Sequence, residues 1–294
     1  MQIAILGSDH PYLRRMRRAL ARAGHIVHSE PTPQAEHTLI DGRSLIAFTG
    51  DLRHATGLVY HPDAHAKERL RLLPRVIASS QPVGDRLVEE YGVERARLRV
   101  VLPGVDAAAR APGSVAGCHL LSIGDLIPRK GHDILLQALG RLFDLDWRLT
   151  LVGSAARDPA CAERLYAQAA APALAGRVSF SGTPDDDGIL EEYWQSADVF
   201  ALATHWEGYG MAVADALRRG LPVAVTAGGA AAELVPAAAG VICPPGDHEG
   251  LSKALRRLIF DTKLRAEMRD AAWAVGQTLP EWSTQAQALL AALP

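Results

Sequence analysis

The sequence predicts an α/β protein built on two parallel β-sheets, and three observations lead there. Short apolar runs alternate with helix-spaced patterns from one end of the chain to the other, as strands joined by crossover helices do. An Ala/Gly/Pro-rich stretch at 107–117, with the composition of a linker, interrupts this alternation, which then restarts. The 294 residues suffice for two domains at roughly 100–200 residues each. The division expected is one domain over 1–113 and a second over 114–280, with a last helical segment over 281–294.

In the first half, strands are expected at 3–7, 26–29, 45–49, 57–61, 76–79 and 99–102, with helices at 12–23 and 83–91. The earlier helix gathers Leu13, Met16, Leu20 and Ala23 on one face, opposite Arg14, Arg15, Arg17, Arg18 and Arg22. Pro103-Gly104 stops the run. In the second half, strands are expected at 119–124, 148–153, 178–181, 199–203, 223–226 and 240–242, and helices near 131–143, 160–171, 188–196 and 210–219. Ile134, Leu135, Ala138, Leu139 and Leu142 share a face, the spacing of a helix laid on a sheet. Gly220-Leu221-Pro222 closes the 210–219 helix, because Gly accepts a left-handed cap and Pro cannot continue the helix. Three more helices are expected at 247–260, 263–278 and 283–290.

Composition narrows the function. With 48% hydrophobic and 22% charged residues the chain can bury a core, and no apolar run approaches the roughly 18 residues of a membrane-spanning helix. The start, Met-Gln-Ile-Ala-Ile-Leu-Gly, lacks a basic region and a long apolar one, so it reads as a first strand, and the location expected is cytoplasmic. Cys118, Cys161 and Cys243 are odd in number and lack C-x-x-C spacing, which argues against a disulfide framework or structural zinc. The formal charge of −2 gives no pull toward nucleic acid, and no such partner is expected. The basic helix at 12–23 raises a membrane-surface contact, but its narrow apolar face must cover its own sheet, so a solvated basic face is the preferred reading.

Ligands of open parallel sheets bind at the carboxyl ends of strands, so the residues just after predicted strands carry the chemistry. One such stretch runs from Ser122 through Gly124, Asp125, Arg129 and Lys130 to Gly131 and His132. Two cations beside a helix start suit a doubly charged phosphate, although a surface loop that merely happens to be basic fits as well. A second runs Thr204-His205-Trp206-Glu207-Gly208-Tyr209-Gly210-Met211 and on to Asp215. Its glycines let backbone approach a ligand, and its two carboxylates suit a polyhydroxylated ligand; the plain alternative is a capping acid and a solvated helix residue.

Residues 119–283 resemble the donor-binding half of glycosyltransferase family 4, retaining enzymes of the GT-B architecture with two Rossmann-like domains facing a cleft. The likeness rests on Gly124-x-Leu126-x-x-x-Lys130-Gly131, Gly182 after Val178-Ser-Phe, Ala197-Asp198-Val199, Glu207-Gly-Tyr-Gly-Met, Gly220-Leu-Pro-Val-Ala-Val and Pro244-Pro-Gly-Asp247. Trp282-Ser-Thr-Gln-Ala-Gln-Ala resembles the final helix that crosses back to the N-terminal, acceptor-side domain. The resemblance implies a metal-independent transfer of a sugar from a nucleotide-diphosphate sugar, with no cofactor, to an acceptor it does not identify. Lys130 would bind the diphosphate, Glu207 would hold hydroxyls of the transferred sugar, and Asp215 would take the ribose position. Backbone N–H groups of Tyr209, Gly210 and Met211 would contact sugar and phosphate, Gly124 and Gly131 would shape the donor loop, and Gly182-Thr183 would lie beside the base. His61 matches the histidine that ends a strand and faces the sugar.

Four features depart from the family pattern. Asp125 stands where a first diphosphate cation is usual, with Arg129 as the replacement; Asp215 stands where Glu is usual; Ser8-Asp9 replaces Gly-Gly; and the first half is short, so that acceptor-binding loops are either reduced or supplied by another chain, a partner or a second copy in a homo-oligomer. These departures define the alternative: a degenerate, non-catalytic nucleotide-sugar-binding or partner subunit of an active transferase. A nucleotide-sugar epimerase ranks third. The D-x-D pairs at Asp144-Leu-Asp146 and Asp185-Asp-Asp187 do not follow predicted strands, and His61-x-x-x-His65 lacks the Glu of a zinc hydrolase, so no metal is expected.

Overall fold

A computed structural model of the chain describes every residue except Asp9 and Asp185, and Asp187 by its backbone alone. The chain forms two compact units, Met1–Asp106 with Pro280–Pro294, and Ala107–Leu279.

The first unit runs β1 (Gln2–Leu6), α1 (Pro11–Arg22), β2 (Ile26–His28), β3 (His37–Asp41), β4 (Ala55–Val59), α2 (Lys67–Leu72), β5 (Arg75–Ala78), α3 (Gln81–Glu89) and β6 (Leu98–Val100). Its strands are all parallel, in the order β2-β1-β3-β4-β5-β6. Central strands carry apolar residues without alternation because both of their faces are covered: β4 is buried at every position. On α1, Tyr12, Leu13, Met16, Ala19 and Leu20 go inward. The basic face is partly used at home, since Arg17 donates to the Ile5 carbonyl at 2.7 Å and Arg15 pairs with Asp106 at 3.4 Å.

The second unit runs β7 (His119–Ile123), α4 (His132–Gly140), β8 (Arg148–Val152), α5 (Pro159–Ala169), β9 (Val178–Gly182), α6 (Asp187–Ser196), β10 (Val199–Leu202), α7 (Met211–Arg218), β11 (Val223–Thr226), β12 (Gly240–Cys243), α8 (His248–Phe260) and α9 (Thr262–Thr278). A last helix, α10 (Trp282–Ala292), belongs to the first unit and packs on α1, with the Tyr12 and Trp282 rings 5.9 Å apart. The second sheet is also parallel, in the order β12-β11-β10-β7-β8-β9. The chain builds outward from β7 through β9, then restarts on the other side of β7 with β10. That reversal opens a crevice at the carboxyl ends of β7 and β10. Two cores fill the faces, one around Leu135, Trp147, Leu149 and Leu255, the other around Trp194, Phe200, Leu217 and Ala272.

The expected strand at 45–49 is not one: the third strand of the chain is β3, at His37–Asp41. Apolar content misled, because Leu39-Ile40 is a shorter signal than Leu45-Ile46-Ala47-Phe48, and within β3 it is flanked by His37, Thr38 and a buried Asp41. Only Leu45 of the later run is buried, while Ile46 is exposed and the backbone closes successive turns, with Leu45 N–H on Asp41 and Phe48 N–H on Leu45. The short helix α2 was also not foreseen.

The boundary between units falls at 106/107 and not at 113/114, and the expected linker is fastened along the second unit. Ala111 donates to the Arg219 carbonyl at 2.9 Å, and its own carbonyl accepts from Arg269. Asp198 completes the attachment: it is buried and accepts from the Ser114 hydroxyl at 2.5 Å, from Ser114 N–H at 3.2 Å and from His119 N–H at 2.8 Å, beside Arg269 at 3.7 Å. The Asp of Ala197-Asp198-Val199 thus ties the incoming chain to β7. Asp198→Ala would leave Arg269 and three donors without their acceptor, and is expected to lower the unfolding free energy by about 3 kcal/mol in denaturant titrations.

Candidate active site

The crevice at the switch point of the second unit receives the two stretches singled out in the sequence. After β7, the backbone turns through Gly124 and Asp125 into a 3-10 turn, Pro128–Lys130, which leads into α4 through Gly131 in the left-handed conformation (φ 62°). After β10 come Thr204 to Gly210, and Gly210 caps α7. The two loops are bonded to each other: the Arg129 carbonyl accepts from His205 N–H at 2.8 Å and from the Thr204 hydroxyl at 3.0 Å.

Side chains converge on Glu207. Its carboxylate is 2% exposed, and Oε1 accepts from Lys130 Nζ at 2.5 Å and from Arg129 at 3.2 Å. Arg129 also donates to the Trp206 carbonyl at 2.6 Å, and the Thr204 hydroxyl lies 3.3 Å from Oε1. A carboxylate so far from water requires compensation by charge and hydrogen bonds, and here both cations of the preceding loop supply it. The N-cap of α7 is Gly210, and the Glu207 carboxylate three residues before it engages the cation loop.

The backbone of Glu207 is fixed from its other side by the turn after β11. Glu207 N–H donates to the Gly228 carbonyl at 2.9 Å, and its carbonyl accepts from Ala230 N–H at 2.9 Å. Gly229 lies between them at φ 74°, where a Cβ would stand 2.1 Å from the Glu207 carbonyl oxygen, so only glycine fits. At Gly124 a Cβ would meet only the Lys130 side chain, at 2.9 Å, and would displace it.

Other expected residues fall along the same edge of the sheet. Tyr209, Gly210 and Met211 form the entry to α7, and Asp215, in its second turn, is buried and not the solvated residue of the plain reading. The Tyr209 phenol is buried, has no hydrogen-bond partner among the described residues, and is pushed up to about 12 by burial first and by Asp215 second. Gly182 ends β9, with Thr183 after it, both exposed; the Gly182 carbonyl accepts from Gly153 N–H at 2.9 Å. His61 lies in the first unit after β4, half-buried, its ring edge-on to Tyr60 at 4.7 Å.

The departure at Asp125 has a local explanation. Its carboxylate accepts from Arg157 at 2.8 Å and is 3.4 Å from Ser154 N–H, so it is engaged by the loop after β8, while Arg129 reaches Glu207. Asp9 lies outside the described residues. Of the D-x-D pairs, Asp144 gives both oxygens to Arg256 at 2.8 Å, and Asp185 is outside the described residues. Among the described residues no group of three or more His, Cys, Asp or Glu side chains is placed to hold a metal ion, and no helix is long and apolar enough to cross a membrane.

Sequence reasoning gave no role to Thr204 or His132, which lie within the two stretches, and did not reach Thr226 or Gly228-Gly229. The Thr226 hydroxyl donates to the Thr204 carbonyl, and Thr204 is fully buried beneath the cation loop. A Gly-Gly pair one residue after a strand was the available signal for the β11 turn. His132 was visible beside Lys130, but its buried position was not.

Comparison with known proteins identifies the family and the fold. The family model described as glycosyl transferases group 1 matches residues 118–274, and the chain belongs to that family. A D-inositol 3-phosphate glycosyltransferase of Acidothermus cellulolyticus is 31% identical over 66% of this chain and 47% of its own length. Mannosylfructose-phosphate synthase of Agrobacterium fabrum is 26% identical over 74% of this chain and 52% of its own. The chain thus spans about half the length of these curated relatives. Among solved structures, HepE of Anabaena in complex with UDP and glucose is similar with a TM-score of 0.82 at 20% identity, covering 100% of this chain and 99% of that one. Sucrose-phosphate synthase of Thermosynechococcus elongatus gives 0.81 at 17% identity, covering 99% and 98%. The fold is GT-B, with two Rossmann-like domains, as the resemblance implied.

His132 sets a measurable pH dependence. The ring is 2% exposed and donates from Nε2 to the Gly124 carbonyl at 3.1 Å. Burial, with a smaller contribution from the Lys130 charge, lowers its pKa from 6.5 to about 4. The unfolded chain therefore binds more protons between pH 6.5 and about 4, and stability is lost as pH falls through that window, by of order 3 kcal/mol. Unfolding titrations across this range should show a steeper acid loss in the wild type than in His132→Gln.

Proposed function

We propose that the chain transfers a glycosyl group from a nucleotide-diphosphate sugar to an acceptor hydroxyl, with retention of anomeric configuration and without a metal ion. The observation that carries this reading is the convergence of Arg129, Lys130 and Glu207 at the switch point of the second sheet, beside the N-termini of α4 and α7. A dianionic leaving group and a hydroxylated sugar need these two kinds of partner side by side.

In this reaction the acceptor oxygen attacks the anomeric carbon while the bond from that carbon to the β-phosphate oxygen breaks on the same face. The acceptor's proton passes to the departing diphosphate. Lys130, Arg129 and the start of α4 stabilise the charge that develops there, which is the main catalytic contribution. Glu207 accepts hydrogen bonds from hydroxyls of the transferred sugar, and Asp215 takes the ribose. Backbone N–H groups at Tyr209, Gly210 and Met211 bind sugar and phosphate, Gly182-Thr183 borders the base, and His61 serves the sugar from the first unit. The engagement of Asp125 by Arg157, with Arg129 on Glu207, supports an active site over a degenerate binding subunit.

Lys130→Ala is expected to reduce release of nucleoside diphosphate by about 10²–10³-fold in turnover assays with the accepted donor and acceptor, while near-normal turnover would refute the assignment. The donor itself is found by thermal melting against a panel of nucleotide sugars, of which at least one should raise the apparent stability.

A further inference from the structure

We infer that His132 is a positioning residue of the donor site: its ring fixes the peptide of Gly124, on which the stem of Lys130 rests, and so sets where the Lys130 ammonium stands. The inference rests on the donor reading above and adds to it a buried residue that acts through Lys130 without touching a ligand.

His132 opens α4, whose other inward residues, Leu135, Leu136, Ala138 and Leu139, are all apolar. An imidazole in that place carries a desolvation cost that a leucine would avoid, so its two nitrogens need a use. Nδ1 is buried and has no hydrogen-bond partner among the described residues. A proton there would lack an acceptor, so the neutral ring carries it on Nε2 and donates it to the Gly124 carbonyl at 3.1 Å. Burial keeps the ring neutral at ordinary pH, and it therefore adds no charge beside Lys130.

Gly124 is where that bond takes effect. Its N–H donates to the Val152 carbonyl at 2.8 Å, and its own carbonyl lies so near Gly153 that a Cβ there would stand 2.0 Å from the oxygen. The direction in which a Cβ of Gly124 would project faces Lys130, whose Cδ and Cε it would meet at 2.9 Å, so the lysine stem lies directly over this glycine. A lysine stem is flexible, and an ammonium is a preorganised donor only where its stem is confined. Lying on the Gly124 peptide, the stem delivers Nζ to Glu207 Oε1 at 2.5 Å. The far end of the loop is fixed separately, since a Cβ at Gly131 would stand 2.0 Å from the Ala203 carbonyl oxygen. Removing the ring's N–H therefore loosens the end on which Lys130 rests, and a diphosphate then meets a cation that must first be ordered.

Calorimetry on the full chain tests this with uridine, guanosine and adenosine diphosphates and their hexose conjugates. The proteins compared are the wild type, His132→Leu, His132→Gln, Lys130→Ala and the variant carrying both His132→Leu and Lys130→Ala, with melting curves to establish folding. His132→Leu should weaken the compound that the wild type binds most tightly by about tenfold. His132→Gln, whose amide N–H takes the place of the ring's, should stay within about threefold of the wild type. In the Lys130→Ala background, His132→Leu should cost less than about twofold, because the support then has no lysine to hold. A merely structural role gives equal losses in both backgrounds. His132→Met takes the same place in both should the leucine variant not fold. The inference is overturned if the folded apolar variant binds as the wild type does, if glutamine fails to restore binding, or if the two losses multiply. Absence of binding by every compound to the wild type overturns the donor reading itself, and this inference with it.

Discussion

A carboxylate held almost out of reach of water organises the second unit. Lys130 and Arg129 come to Glu207 from the loop after β7 and Thr204 from the end of β10. Each of those contacts requires another. The cation loop reaches this far because its Arg129 carbonyl is bonded to the β10 loop, and the acid stays in place because Gly228 and Ala230 hold its backbone from the turn after β11. Three strand ends are in this way locked into one rigid edge, where preorganised donors cost no further ordering when a ligand arrives.

The second unit could be read closely from its sequence because its inner strands β10 and β11 are buried at every position and so appear as apolar runs between Gly and Pro stops. Every strand and helix expected there is present, with ends within a few residues. The first unit was less legible where polarity and burial part company. β3 ends in a buried Asp41, whose carboxyl is pushed above its usual range chiefly by loss of water, while the apolar stretch after it leaves Ile46 exposed. Hydrophobic pattern cannot reveal a strand that buries an acid.

For the site, residue chemistry after strand ends was enough to single out Arg129, Lys130 and Glu207. What the sequence could not convey was their mutual distance, or that Thr204 would sit fully buried between the two loops. Asp125 shows the limit most clearly. As a letter it opposes phosphate binding, but its effect depends on whether Arg157, thirty-two positions later, is within reach, and at 2.8 Å it is. The formal loss of a cation is thus largely an exchange of partners among neighbouring loops.

One feature of the architecture bears on how the molecule is made. The first unit takes its last helix, α10, from beyond the entire second unit: Trp282 lies close to Tyr12, and Val105 N–H bonds to the Pro280 carbonyl at 2.9 Å. On a ribosome, which releases chain from the N-terminus onward, the earlier-born unit must wait with the α1 surface uncovered while the later-born one is synthesised and folds. Maturation therefore runs against the order of translation, and the apolar patch under α10 is the surface a nascent-chain chaperone would have to guard.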